Sequence, residues 1–344
     1  MKEDKKVILG VLKKNIERED KFENLVLNLA LKKMAGAKKD ERGVYYSKGG
    51  KRVLMASKTL EGDYAIKDGT QEVDDNAFWG CVFLKNVVIP ESVESIGDGA
   101  FGRCISLEEL RIPASVGKLG RNPFEDLQGD VVKCESANYV VEAKILYTSD
   151  KTTVVSCLSD AAMCIIPKTV TNIDDKAFTR RRRLKKVVIP EGVKRIGADA
   201  FSDCDSLEEV SIPASVETID SYAFAECDSL RKVTLFGAVK RISRTAFSDC
   251  DSLASISVPA GCAAKVRKQL HLSDYSEVIV LEREDAAPNA QNANDAAAEE
   301  PAAKEKEGKK DKPAKKDASK KKSKKEDAEP TPEAPESEKQ DTNN

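Results

Sequence analysis

Histidine occurs once in the 344 residues, as His271. That scarcity removes most arrangements in which an imidazole activates a nucleophile or ligates a metal. No Cys-x-x-Cys pair exists among the nine cysteines, which weakens a zinc reading. No stretch approaches about 18 consecutive apolar residues, so no transmembrane segment is predicted. Gly49-Gly50-Lys51 lacks the first glycine and the Ser/Thr of a P-loop, and it falls in a tight turn rather than before a helix. Aromatics make up 5% of the chain, and the net charge of −2 gives no global pull toward nucleic acid or membrane. Carboxylates are abundant, but no pairing of acid and base is visible. The sequence predicts no enzyme, no cofactor and no metal.

The opening residues, MKEDKKVILGVLKKNIERED, carry an apolar run from Val7 to Leu12 that is too short for a signal peptide core. Glu3 and Asp4 occupy what would be its positive region, and no small-x-small cleavage site follows closely. These features predict a cytoplasmic protein; a surface or secreted location requires a missing leader or non-classical export. An odd number of cysteines agrees with a reducing compartment.

What the chain has in quantity is a period. Ile-Pro or its equivalent returns every 23 residues, at Ile89-Pro90, Ile112-Pro113, Ile166-Pro167, Ile189-Pro190, Ile212-Pro213, Leu235-Phe236 and Val258-Pro259. Ala-Phe keeps the same interval at Phe78, Phe101, Phe178, Phe201, Phe224 and Phe247, with Pro123-Phe124 filling one more beat. Cysteine follows at Cys81, Cys104, Cys204, Cys227 and Cys250. A period of this length with a Leu-x-x-Val-x-Ile core predicts a leucine-rich-repeat solenoid, a right-handed superhelix with a parallel β-sheet. Seven coils are expected between Ile66 and Ser257.

Within a coil, Leu107 to Ile112 predicts the parallel strand, with Leu107, Leu110 and Ile112 inward and Glu109 and Arg111 outward. Pro113 ends it for want of a ladder donor. The segments Val193-x-x-Ile196 and Val216-x-x-Ile219 cover the other side, and the phenylalanines fill the interior. Coils stacked about 4.8 Å apart put the phased cysteines in one column of buried, reduced thiols.

Residues 1–42 show helical spacing (Ile8, Leu12, Ile16, then Phe22, Leu25, Leu29) and predict a helical segment or cap. Residues 43–65 and 135–165 predict a β-hairpin each, because Tyr46 to Leu54 matches Tyr147 to Val155 around a tight turn. Repeat blocks occupy 66–134 and 166–257, and a C-terminal cap with a helix-like stretch occupies 258–283. Residues 284–344 collapse to Ala, Lys, Glu, Asp and Pro and predict a disordered tail.

Units such as Ser206 to Phe224, SLEEVSIPASVETIDSYAF, resemble the BspA-like leucine-rich repeats common in bacterial surface and host-interaction proteins. The resemblance covers roughly residues 43 to 283, including repeat, insert and end cap. It implies a protein-binding module, often an adhesin; the function expected is adhesin-like or scaffolding binding of an unidentified protein ligand, and a monomer is expected.

Three features are candidates for binding. The outward strand positions of the concave face are Asn86, Glu109, Lys186, Glu209, Lys232 and Ser255, beside Val88, Arg111, Val188, Ser211, Thr234 and Ser257, with Phe236 exposed next to them. This mixed surface predicts protein recognition. Arg180, Arg181, Arg182 and Arg183 form a basic patch where the next coil has Asp203-Cys204-Asp205-Ser206. Arg181 falls on the cysteine column, so the coil is expected to open there. The patch either docks an acidic ligand or pairs with Asp174, Asp175, Asp203 and Asp205. Lastly, Lys304 to Lys325 holds 12 lysines against 4 acidic residues, followed by an acidic stretch. That block gives the alternative function, binding of a polyanion such as nucleic acid or an acidic protein.

Overall fold

The computed structural model describes residues 33–127, 130–272 and 278–283. Through them the chain winds as a solenoid of about ten turns. One coil shows how the sequence sets the winding. Glu209–Ile212 is a strand in which Val210 and Ile212 are buried and Glu209 and Ser211 are exposed, the alternation a half-buried strand demands. Pro213 follows and halts it. The chain turns, makes the two-residue strand Thr218–Ile219, and turns again through Ala223 and Phe224, both fully buried.

Successive coils stack in parallel with an offset of one period. Glu209 lies opposite Lys232 and Ile212 opposite Leu235 in the ladder of long strands. Arg195 lies opposite Thr218 and Ile196 opposite Ile219 in the ladder of short strands. A third line of bonds runs along the Ala-Phe corner, where the Phe201 N–H donates to the Ala223 carbonyl at 2.7 Å and the Phe224 N–H to Ala246 at 2.8 Å. The rings stack along the same axis, 4.7 Å from Phe178 to Phe201 and 5.0 Å from Phe201 to Phe224, with interplanar angles of 16° and 3°.

The Ala-Phe corner is tight enough to force left-handed backbone at fixed places. Residues two before and two after the phenylalanine have positive φ, as at Asp199 and Asp203 (54° and 58°) and Tyr222 and Glu226 (58° and 56°). Arg180 takes the same conformation at 63°, so the arginine run follows the backbone of its neighbours. The coil expected to open there is closed: Arg181 is 6% exposed, and its N–H makes the same bond to the Phe178 carbonyl that Cys81 makes to Phe78. The guanidinium reaches the Leu127 carbonyl across the stack, which lets it stay inside.

The long-strand ladder has more members than the seven coils expected between Ile66 and Ser257. Val132–Cys134 enters the insert, and Ile279–Arg283 closes the array parallel to Ser255–Pro259, while Glu61–Ala65 and Met163–Ile165 lead into Ile66 and Ile166 and belong to the expected coils. Val132–Cys134 and Ile279–Arg283 are followed by no Ala-Phe pair, so the phenylalanine beat does not count them, whereas Glu61–Ala65 leads to Ala77-Phe78 and Met163–Ile165 to Ala177-Phe178. The C-terminal end is further covered by the helix Ala263–Leu270, which buries Val266 and Leu270.

Two antiparallel units interrupt the winding. Tyr45–Tyr46 pairs with Arg52–Met55, and Val53 then lies parallel to Val73. In the insert, Tyr139–Glu142, Ile145–Thr148 and Thr153–Cys157 form three antiparallel strands, and Val154 lies parallel to Ile173. This insert is a wall between two cores. Ile145, Tyr147, Val154 and Cys157 pack into the core of the second block, while Leu146, Val155 and Leu158 pack into that of the first.

Residues 1–32 of the expected helical segment lie outside the described residues, as does the tail from 284 with its lysine block. Near the end of that segment, Lys38–Lys39 is strand rather than helix, paired with Tyr45–Tyr46. The Asp40 carboxylate accepts from the N–H groups of Arg42 and Val44 and turns the chain back on itself, which a helix cannot follow.

Candidate functional site

The long-strand ladder presents its outward side chains in two rows, but as three patches rather than one continuous face. Pairing is broken between Cys134 and Met163 and again between Val188 and Glu209. The first patch brings together Asn86 and Glu109, with Val88 and Arg111 one pleat away. The second holds Lys186 and Val188, facing Met163 and Ile165. In the third, Glu209 opposes Lys232 and Ser211 opposes Thr234, with Phe236 just beyond. Ser255 is half-buried, and Ser257, expected outward, is buried because the closing strand lies against it with Leu281 opposite.

Charge in the first patch is largely satisfied within the protein. The Asn86 amide donates to the Asp63 carboxylate at 2.6 Å. Glu109 accepts from Lys133 at 2.8 Å and lies 3.5 Å from Arg111, and these two cations hold its carboxyl below the usual range. Arg111 is also paired with Glu135. What remains unsatisfied is apolar surface. Val88 is 62% exposed and Ile165 56%, and Phe83, Met163, Ile279 and Leu281 are also exposed on this ladder. Phe236 is partly claimed by the end strand, since the Arg283 guanidinium sits 4.6 Å above its ring.

Met163, Ile165, Ile279 and Leu281 were not among the residues read from the sequence as binding positions. Met163 and Ile165 stand one period before Lys186 and Val188 and alternate correctly, so extending the beat backward through the insert finds them. Ile279 and Leu281 follow a helix, which breaks the period and hides their register.

The four arginines are close together but differently engaged. Arg180 lies 3.6 Å from Asp203, 3.7 Å from Asp126 and 3.8 Å from Glu125. Arg182 reaches Asp203 at 3.7 Å and Asp205 at 3.5 Å, and Arg183 bonds Asp160 at 2.9 Å. Asp174 and Asp175, the other expected partners, are taken by Arg195, with Arg121 also 3.6 Å from Asp175. Burial, reinforced by Asp126, raises the Glu125 carboxyl, while Arg180 opposes the shift. Arg181 has no carboxylate within salt-bridge distance among the described residues. It lies beside Cys204, whose thiol burial pushes up, and Nη1 donates to the Leu127 carbonyl at 3.3 Å.

Comparison with known proteins follows the same lines. A family described as the BspA type leucine rich repeat region matches in 6 copies, over residues 71–160 and 156–268. Among solved structures, a leucine rich cell surface protein of Faecalibacterium prausnitzii is 22% identical, aligned over 61% of this chain and 62% of its own, with a TM-score of 0.49. The pneumococcal vaccine antigen PcpA is 20% identical over 66% of this chain and 68% of its own, with a TM-score of 0.49. A leucine-rich repeat protein of Eubacterium ventriosum is 20% identical over 61% and 72%, with a TM-score of 0.45. The chain thus spans less than two thirds of the first of these structures. No curated protein matches it. Among the described residues, no helix is long and apolar enough to cross a membrane.

Proposed function

The chain belongs to the BspA type leucine rich repeat family, and from that premise we propose that it is a non-catalytic protein-binding module whose partner lies on the long-strand ladder. One observation carries the choice of surface. Nine large apolar side chains are exposed among the described residues, and six of them, Phe83, Val88, Met163, Ile165, Ile279 and Leu281, stand in strands of this ladder. Exposed apolar groups gathered in patches along one ladder mark interaction surfaces. In the first patch the charges between them are paired along the stack, which leaves shape and apolar contact to select a partner there.

Affinity capture tests the reading, using the full chain, the chain lacking residues 284–344, and a Val88→Asp, Ile165→Asp double variant. Partners that survive high salt, persist without the tail and vanish with the double variant support the ladder. Capture unchanged by the double variant removes it. Nucleic acid that is salt-labile and lost with the tail indicates instead the polyanion reading, for which the 12 lysines of the tail block are the supporting observation.

A further inference from the structure

A groove of about 650 Å³ runs along the cysteine corner, from the first block across to the second. Six basic side chains line it against two carboxylates, Asp126 and Asp160. Trp79 and Ile105 supply apolar wall, with Ile105 68% exposed. At the second-block end lies Arg181, more than nine-tenths buried, with no hydrogen-bond partner for Nε or Nη2.

The fold does not call for arginine at this position. Its counterparts are Cys81, Cys104, Leu127, Cys204 and Cys227, all buried. A buried guanidinium with idle donors is costly, and apolar replacements at such sites are often neutral or stabilising. The idle donors are also the two that work together. With Nη1 spent on Leu127, Nε–H and Nη2–H lie along one edge of the plane, the parallel fork that matches two oxygens of one oxyanion.

The neighbouring cations keep capacity in reserve. Arg103 to Asp126, Arg180 to Asp203 and Arg182 to Asp205 stand at 3.6, 3.6 and 3.5 Å. Charge-assisted hydrogen bonds close to about 2.7–2.9 Å, so these pairs attract without consuming their donors.

We propose that this groove is a phosphate site, in which Arg181 grips two oxygens of the anion side-on through Nε and Nη2 and Arg103 and Arg180 flank it. Four of the six cations have a carboxylate within 4 Å, and Arg181 and Lys58 have none among the described residues, so two positive charges are left to meet a dianion. The phosphate is either free in solution or carried on a protein side chain, and the same fork serves both.

Trp79 is the chain's one tryptophan, so its fluorescence reads the groove directly. The full chain is titrated with inorganic phosphate, a phosphoserine tripeptide and succinate, with sodium chloride at matched ionic strength as reference. A saturable phosphate response is expected. In Arg181→Leu, which copies Leu127, affinity should fall about tenfold or more while the melting temperature holds or rises. Arg103→Gln, on a more exposed wall, should weaken binding severalfold in a protein that still folds. A tighter tripeptide assigns the site to a phosphoprotein, and a tighter inorganic ion assigns it to free phosphate; each supports the site. A response no greater than chloride's, equal affinity in Arg181→Leu, or succinate binding tighter than phosphate overturns it.

Discussion

The Cys204 thiol donates to the Phe178 carbonyl of the preceding coil at 3.3 Å, and the relationship repeats down the stack. Cys104 bonds Phe78 at 3.1 Å, Cys227 bonds Phe201 at 3.2 Å and Cys250 bonds Phe224 at 2.9 Å. The column is therefore a line of weak donors holding the corner carbonyls as well as a strip of small apolar fillers.

Cys227→Ala should destabilise the array more than Cys227→Ser, because serine keeps a donor for the Phe201 carbonyl while alanine leaves a buried acceptor and a void. The expected loss is about 1–3 kcal/mol for alanine, with serine nearer the low end. Urea unfolding of both variants checks the order; serine costing more than alanine would show that the hydroxyl is an unwelcome polar group there.

Thiol chemistry should divide the cysteines by depth. Cys81, Cys104, Cys204 and Cys227 are fully buried, whereas Cys134, Cys250 and Cys262 are half-buried. Cys250 was expected to be buried with its column, but it lies near the end of the array with less cover. In the native protein a disulfide reagent should reach the half-buried group first. Prompt reaction of Cys204 or Cys227 would contradict the packing.

Alkaline pH should weaken the fold through the same residues. Burial pushes the Cys104 thiol up to about 12 and raises that of Cys81. The unfolded chain releases these protons first, so the stabilisation is complete below the ordinary thiol value and is lost as pH climbs toward the folded value. Each such thiol costs about 1.4 kcal/mol per pH unit in that interval. Unfolding measured from pH 8 to pH 10 should show the decline, with a shallower slope in Cys104→Ala.

Asn122 ties the two blocks together. It is fully buried, its amide donates to the Lys176 carbonyl at 2.7 Å, and its oxygen accepts from the buried Ser156 hydroxyl at 2.5 Å. Asn122→Ala should cost about 2–4 kcal/mol, since it strands both partners and leaves alanine at a positive φ of 37°. Thermal unfolding of this variant against Ser156→Ala separates the shared bond from the backbone effect, and no loss in either would remove Asn122 from the joint.

Tyr222 holds left-handed backbone with a bulky, exposed side chain. Tyr222→Asn should stabilise the coil by about 0.5–1 kcal/mol, because asparagine tolerates that region at lower cost. A lower melting temperature would mean that the tyrosine ring makes contacts worth more than the strain.

The sequence disclosed whatever repeats. Ile-Pro, Ala-Phe and the cysteine column each occupy the same surroundings in every coil, so one environment is read many times. It concealed what happens once. The strand Tyr139–Glu142 turns into its partner through Ala143 and Lys144, both left-handed, with none of the glycine or asparagine that announces such a turn. The burial of Arg181 rests on a carbonyl at Leu127, 54 residues earlier and across the insert. The groove joins Trp79 and Ile105 to Arg181 and Arg182 only because the insert lets the second block stack against the first. The two outward rows were legible as alternation, but their division into patches depends on where pairing lapses, and no residue type marks that.

The wall that presents Ile145 and Tyr147 to one side and Leu146 and Val155 to the other also sets how such a chain can change length. A coil in a stacked array answers only to its immediate neighbours. A 23-residue unit gained or lost around Phe224 meets the same surfaces above and below and leaves the wall untouched. A unit gained or lost beside Tyr147 must refit a surface that occurs once. Growth by duplication is thus free within each block and arrested at the partition, which makes the partition the fixed point from which both arrays are counted.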